Sequence, residues 1–180
     1  RHVSMWTLAA STGMRRGELL GLRWRDIDLK AQRLSVRQTI ISVGYEVMRS
    51  DPKTARGTRT IDLDARTVQM LRAHRADQRL EQQLLGSPKH AEELAFCRET
   101  GEPYHPDLVR QSFERRVRTS AVPRIRFHDL RHTHATLMLQ AGVPPKVVSE
   151  RLGHATVAFT MDVYAHVIPG MQARAAETFG

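Results

Sequence analysis

His128 and Arg131 stand three residues apart, a spacing that sets both on one side of a helix, where an imidazole and a guanidinium can grip one phosphate. The same pair equally suits hydrogen bonding at a helix surface. Arg15 and Arg16 follow Thr12-Gly13 at a predicted helix start, so guanidinium groups and unpaired backbone N–H groups can face an anion together, or simply form a solvated pair. Glu18, three residues after Arg15 on the same face, either orients that arginine or makes an exposed pair with it. His154 follows Leu152-Gly153 at a helix end, where a lone histidine commonly caps. Tyr164 shares helical spacing with Val157, Met161 and Ile168, so periodicity makes it a core tyrosine whose hydroxyl needs a partner.

The elements that must carry these residues are mostly helical. Residues 2–22 read as two short helices around a glycine turn at Gly13. From 32 to 63 the pattern changes to Leu34, Val36, Ile40, Ile41, Val43, Ile61 and Leu63, predicting a small antiparallel sheet with turns near Gly44 and over 53–57. Asp64 is the expected N-cap of a long helix to about Leu85, with Val68, Leu71 and Leu84 among its apolar positions. A loop follows at Gly86-Ser87-Pro88. Residues 108–119 form a basic amphipathic segment, and 127–141 a helix whose predicted buried stripe is Phe127, Leu130, His134, Leu137, Met138 and Ala141. Pro144-Pro145 opens a short helix to Leu152, and two last segments, 156–167 and 171–179, flank Pro169-Gly170.

Composition bounds the partners. The 180 residues carry 28 Lys+Arg against 19 Asp+Glu, a net charge of +9, and the pI of about 10.7 calls for a polyanionic partner, because clustered cations gain affinity by releasing counterions from phosphates. At 41% hydrophobic and 26% charged residues the chain matches ordinary globular usage, and its apolar runs are far too short to span a bilayer. Cys97, the single cysteine, excludes an internal disulfide framework and fits a reducing cytosol. No segment reads as a signal peptide. The chain enters a helical pattern directly after Arg1, so a piece of a longer protein, lacking an upstream domain, is expected.

Taken as an ordered set, the motifs become specific. Thr12-Gly13-Met14-Arg15-Arg16-Gly17-Glu18-Leu19-Leu20 and Leu22-Arg23-Trp24-Arg25-Asp26-Ile27-Asp28 precede Pro52-Lys53-Thr54. Then come His128-Asp129-Leu130-Arg131-His132-Thr133-His134-Ala135, Leu152-Gly153-His154 and Tyr164-Ala165-His166-Val167. The series resembles the catalytic domain of tyrosine recombinases, the phage-integrase family, from about Met5 to Val167. The resemblance implies an α+β fold, mostly helical with a small antiparallel sheet. It places the catalytic domain over 1–168 and a tail over 169–180, whose alanines Ala173, Ala175 and Ala176 either dock on a neighbouring protomer or pack on their own domain.

The resemblance also implies roles. Tyr164 would be the nucleophile that attacks a DNA phosphodiester to leave a 3′-phosphotyrosyl bond and a free 5′-hydroxyl, and Arg15 and Arg131 would bind the non-bridging oxygens. Lys53 would protonate the leaving 5′-oxygen, His128 would assist proton transfer near the nucleophile, and His154 would donate to the phosphate. Glu18 would support the site. No metal or other cofactor is then required. The implied partner is double-stranded DNA, bound by a homotetramer in the cytoplasm, with an upstream core-binding domain closing around the duplex and no membrane involved. Arg72, Arg75 and Arg79, and separately Arg115, Arg116 and Arg118, are candidates for phosphate contacts or for a solvated basic face.

Three other readings compete. His128-Asp129-Leu130-Arg131-His132 imitates the His-Glu-x-x-His of a metalloprotease, with His134 as a further ligand, but lacks the glutamate base. A type IB topoisomerase shares the phosphotyrosyl chemistry. A fragment that binds DNA without cleaving it is the third.

Overall fold

The computed structural model describes residues 2–50, 57–86 and 94–164. Lys53 and the 165–180 segment lie outside them. Helix α1 (His2–Thr12) runs into the turn at Gly13 and is followed by the short α2 (Arg16–Leu20). Strand β1 (Ile27–Asp28) pairs antiparallel with β2 (Arg33–Val36), which pairs on its other side with β5 (Arg59–Asp62); β3 (Thr39–Val43) and β4 (Glu46–Ser50) form a separate hairpin. Then come α3 (Ala65–Leu84), α4 (Pro106–Arg118), α5 (Asp129–Gln140), α6 (Pro145–Leu152) and α7 (Val157–Tyr164).

The sheet region departs from the expected single sheet. Gln38 is buried between β2 and β3 and donates its side-chain amide to the Gly21 carbonyl at 2.8 Å, at the end of α2. That bond turns the chain away from β2, so the hairpin packs on α2 and α4 instead of extending the first sheet. Within the three-stranded sheet, Leu34 and Val36 face the core and Ile61 pairs opposite Leu34, the alternation expected of a half-buried strand.

Local chemistry fixes the helix ends. The Asp64 carboxylate accepts from the Thr67 N–H at 2.9 Å, capping α3 as its sequence predicts. Pro106 and Pro145 open α4 and α6, where a missing N–H costs nothing. The buried face of α3 is more polar than expected: Val68 and Leu71 are buried, Leu84 is 78% exposed, and His74, Gln78 and Gln82 complete the face. Partners make this tolerable. Trp24 donates its indole N–H to Gln78 at 2.6 Å, Gln78 donates to the Leu94 carbonyl at 3.2 Å, and His74 stacks on Phe96.

Most buried apolar residues form one core under α1, the three-stranded sheet, α3 and α4. A smaller one joins α5, α6 and α7 through Ala135, Leu139, Val148, Leu152 and Tyr164. The predicted stripe of α5 requires correction here. Phe127 is buried, but Leu137 and Ala141 are exposed, and the inward face is Arg131, Ala135 and Leu139. A hydropathy reading rotates the helix by about one residue because it does not place an arginine inside.

Candidate active site

Arg15 and Glu18 sit where α2 begins. Arg15 donates from its guanidinium to one Glu18 oxygen at 2.8 Å and from its backbone N–H to the other at 2.9 Å, so the two residues close the helix start reciprocally. The same guanidinium reaches the Gly153 carbonyl at 3.2 Å, which ties α2 to the end of α6. Glu18 is also gripped by Arg59 of β5, whose two terminal nitrogens lie 3.0 and 2.8 Å from its oxygens. Burial pushes the Glu18 carboxyl up, but Arg59 and then Arg15 outweigh it and hold the group below its ordinary value. Arg59 was not among the expected site residues. Nothing local in the sequence marks that arginine as buried.

Arg131 enters from α5, 4% exposed. It donates to the Gly13 carbonyl and to the Leu152 carbonyl, each at 2.7 Å. Two of its five N–H groups are thereby used for orientation and three remain for a ligand. Gly13 has φ +66°, and a Cβ there would stand 2.4 Å from Leu152 and 2.9 Å from His134, so glycine is required for the approach. Burial, then the neighbouring Arg15 charge, lowers the Arg131 pKa to about 9, with Glu18 acting in the opposite sense, so it stays cationic at neutral pH.

His154 follows Gly153, whose φ of +67° ends α6 in the left-handed conformation. Its Nδ1 lies 2.8 Å from the Thr160 hydroxyl on α7. Burial first, then Arg131, Arg15 and Arg59, lower its pKa to about 4, so the ring is neutral at pH 7. A Thr160 hydroxyl that donates to Nδ1 places the ring proton on Nε2, where it can meet an acceptor.

Tyr164, on α7, is 3% exposed and packs with Leu139 and Leu152. Its hydroxyl lies 2.8 Å from Nδ1 of His132. Burial raises its pKa and the Arg131 charge draws it partly back. His132 belongs to the same motif, where the family resemblance assigns it no role. His128 begins α5 and meets the His132 ring edge-on, with centroids 4.9 Å apart. Burial, then His132 and Arg131, lowers its pKa.

The structure thus brings Arg15, Glu18, Arg131, His154 and Tyr164 to one place, with His128 beside it and Arg59 and His132 added. The cluster offers fixed guanidinium groups and a neutral imidazole near a phenol, which suits stabilisation of charge growing on an oxyanion. His134 is turned elsewhere: it donates to the Ala10 carbonyl at 3.0 Å and accepts from Arg151 at 3.2 Å, so both ring nitrogens are occupied and it is no metal ligand alongside His128 and His132. Arg75 lies over the Trp24 ring at 5.0 Å, away from a phosphate-binding role, whereas Arg72, Arg79, Arg115, Arg116 and Arg118 are exposed.

The sequence profile of the phage integrase family matches residues 1–170, spanning every motif that supplies this cluster. The chain belongs to the phage integrase family. Among its relatives, a tyrosine recombinase XerC-like protein of Caldanaerobacter subterraneus subsp. tengcongensis is 35% identical over 99% of this chain and 49% of its own length. The ICEBs1 integrase of Bacillus subtilis is 29% identical over 97% of this chain and 47% of its own. The chain therefore spans about half the length of these integrase-family relatives. The fold is the tyrosine-recombinase catalytic-domain fold: the Tn1549 transposon integrase in complex with transposon right end DNA superposes with a TM-score of 0.75 at 22% identity, covering 97% of this chain and 57% of that one. XerA recombinase gives 0.69 at 22% identity, covering 96% and 55%. Among the described residues no helix is long and apolar enough to cross a membrane.

Proposed function

We propose that this chain is the catalytic part of a site-specific DNA recombinase that cleaves and rejoins strands through a 3′-phosphotyrosyl intermediate, for integration, excision or resolution of DNA elements. The observation that carries the reading is the buried Tyr164 hydroxyl within the field of Arg131, itself fixed by two carbonyls beside Arg15 and His154. A phenol with an ordinary pKa near 10 is a poor nucleophile at neutral pH, so its proton must leave as it attacks phosphorus. Arg15 and Arg131 bind the non-bridging oxygens as phosphorus becomes five-coordinate, and His154 donates from its free N–H. Glu18, with Arg59 behind it, aims Arg15. Lys53 protonates the leaving 5′-oxygen. A 5′-hydroxyl from a second duplex then attacks the phosphotyrosyl link, restores the phosphodiester and frees Tyr164, with no ATP consumed.

The partner is double-stranded DNA, drawn in by the net charge of +9. The working assembly is a homotetramer on two duplexes in the cytoplasm, with an upstream core-binding domain completing the clamp and the 169–180 tail docking on a neighbour. The test is covalent trapping. Nicked suicide duplexes of randomised sequence are mixed with the protein, without metal or ATP, and SDS-resistant protein–DNA is recovered and sequenced. A band that Tyr164→Phe abolishes supports the reading. Absence of a band with wild-type protein that binds the duplexes overturns it, and plasmid relaxation without strand exchange assigns a topoisomerase instead.

A further inference from the structure

His128 and His132 lie one turn apart at the start of α5, and the family resemblance gives the proton-handling role to His128. The geometry points to His132 as the general base that takes the proton from Tyr164 during strand cleavage, an assignment that rests on the recombinase reading above. Among the described residues, His132 is the side chain whose hydrogen bond meets the Tyr164 hydroxyl, at 2.8 Å, within the range for direct proton transfer. His128 instead places its ring edge against His132, 4.9 Å between centroids, and has no hydrogen bond to Tyr164.

The spacing explains the arrangement. His132 lies one residue beyond Arg131, so α5 buries the guanidinium toward Gly13 and Leu152 while the next side chain turns toward Tyr164 of α7. One turn of helix thereby supplies the cation for the phosphate and the acceptor for the nucleophile's proton. His128, four residues earlier, backs the His132 ring and restricts its orientation.

The step balances. The step uses the His132 tautomer that carries its proton on Nε2, so that Nδ1 accepts the Tyr164 hydroxyl hydrogen bond. As the Tyr164 oxygen bonds to phosphorus, the bond from phosphorus to the 5′-oxygen breaks, the phenolic proton passes to Nδ1 and His132 becomes an imidazolium, while the 5′-oxygen takes its proton from Lys53. In the rejoining step a 5′-hydroxyl attacks phosphorus and passes its proton to Lys53, left neutral by the cleavage step, while the phosphotyrosyl bond breaks and His132 returns the proton to the Tyr164 oxygen.

The experiment measures single-turnover trapping on a suicide duplex recovered above, for wild type, His132→Asn, His132→Ala, His128→Ala and Lys53→Ala, each verified by circular dichroism and DNA binding. Asparagine can still hold the tyrosine hydroxyl but cannot take its proton, so it separates a base from a mere anchor. His132→Asn and His132→Ala are both expected to slow cleavage by roughly 10²–10⁴-fold. Exogenous imidazole should restore part of the rate to His132→Ala. A duplex with sulfur in place of the bridging 5′-oxygen, whose thiolate leaves without a proton, should rescue Lys53→Ala and not His132→Asn. Wild-type speed in His132→Asn, or its rescue by the sulfur substrate, would overturn the assignment while leaving the recombinase intact. A wild-type protein that traps no DNA would remove the recombinase reading and this base with it.

Discussion

Arg59 holds the Glu18 carboxylate with both terminal nitrogens, at 3.0 and 2.8 Å, and both side chains are more than nine-tenths buried. Its Nε donates in turn to the Arg151 carbonyl at 2.7 Å, so one guanidinium joins β5, α2 and α6. Arg59→Ala leaves the buried Glu18 carboxylate to Arg15 alone and removes the donor to the Arg151 carbonyl, so it should lower stability by about 1–3 kcal/mol, the cost of buried polar groups left short of partners, read from urea unfolding. A loss below about 1 kcal/mol, the range of a surface pair, would contradict this account.

Gly13 carries two loads at once, a left-handed φ and the carbonyl that orients Arg131. Gly13→Ala drives a methyl group into Leu152 and shifts that carbonyl. The variant should lose both thermal stability and strand cleavage, whereas Gly44→Ala, also at positive φ but with open space around it, should be only mildly destabilised and cleave normally.

Arg131→Lys keeps a positive charge but not the planar fork that meets two carbonyls and an anion together. DNA binding, driven by the whole basic surface, should change little. Covalent trapping should fall by roughly 10²–10³-fold, the effect of losing an oriented oxyanion donor. Equal loss of binding and cleavage would place Arg131 in general DNA affinity instead.

Acid should loosen the fold through two histidines. Burial, reinforced by Arg151 for His134 and by Arg131 for His154, holds both at about 4, below the ordinary 6.5 of the unfolded chain. Between these values the unfolded state binds more protons, so stability rises with pH across that window and is lost as pH falls from about 6.5 to about 4. Urea midpoints at pH 7, 5.5 and 4.5 should fall in that order, and His134→Gln should show a shallower decline. A flat profile would mean that neither ring is held neutral by the fold.

Much of this protein is legible in its sequence because the determining signals are local. Asp64, Pro106 and Pro145 open their helices through contacts or absences within a turn, and Gly153 ends α6 by a backbone angle that favours glycine. The order of Thr-Gly-x-Arg, His-x-x-Arg, Leu-Gly-His and tyrosine carries the resemblance that implies one site of Arg15, Glu18, Lys53, His128, Arg131, His154 and Tyr164, of which Arg15, Glu18, Arg131, His154 and Tyr164 lie together with His128 beside them.

Other features depended on atoms distant in the chain. Arg59 was overlooked because its reason for being buried, Glu18, lies 41 residues away. The face of α5 was misread because carbonyls of Gly13 and Leu152 reward the burial of Arg131, which no hydropathy pattern encodes. The two-sheet arrangement hung on Gln38 finding the Gly21 carbonyl, and the partner of Tyr164 on which of two histidines faced α7. Periodicity and capping act through the nearest turn and are written in the sequence. The pairing of buried polar groups is settled only when the folded chain brings a donor and an acceptor together away from water.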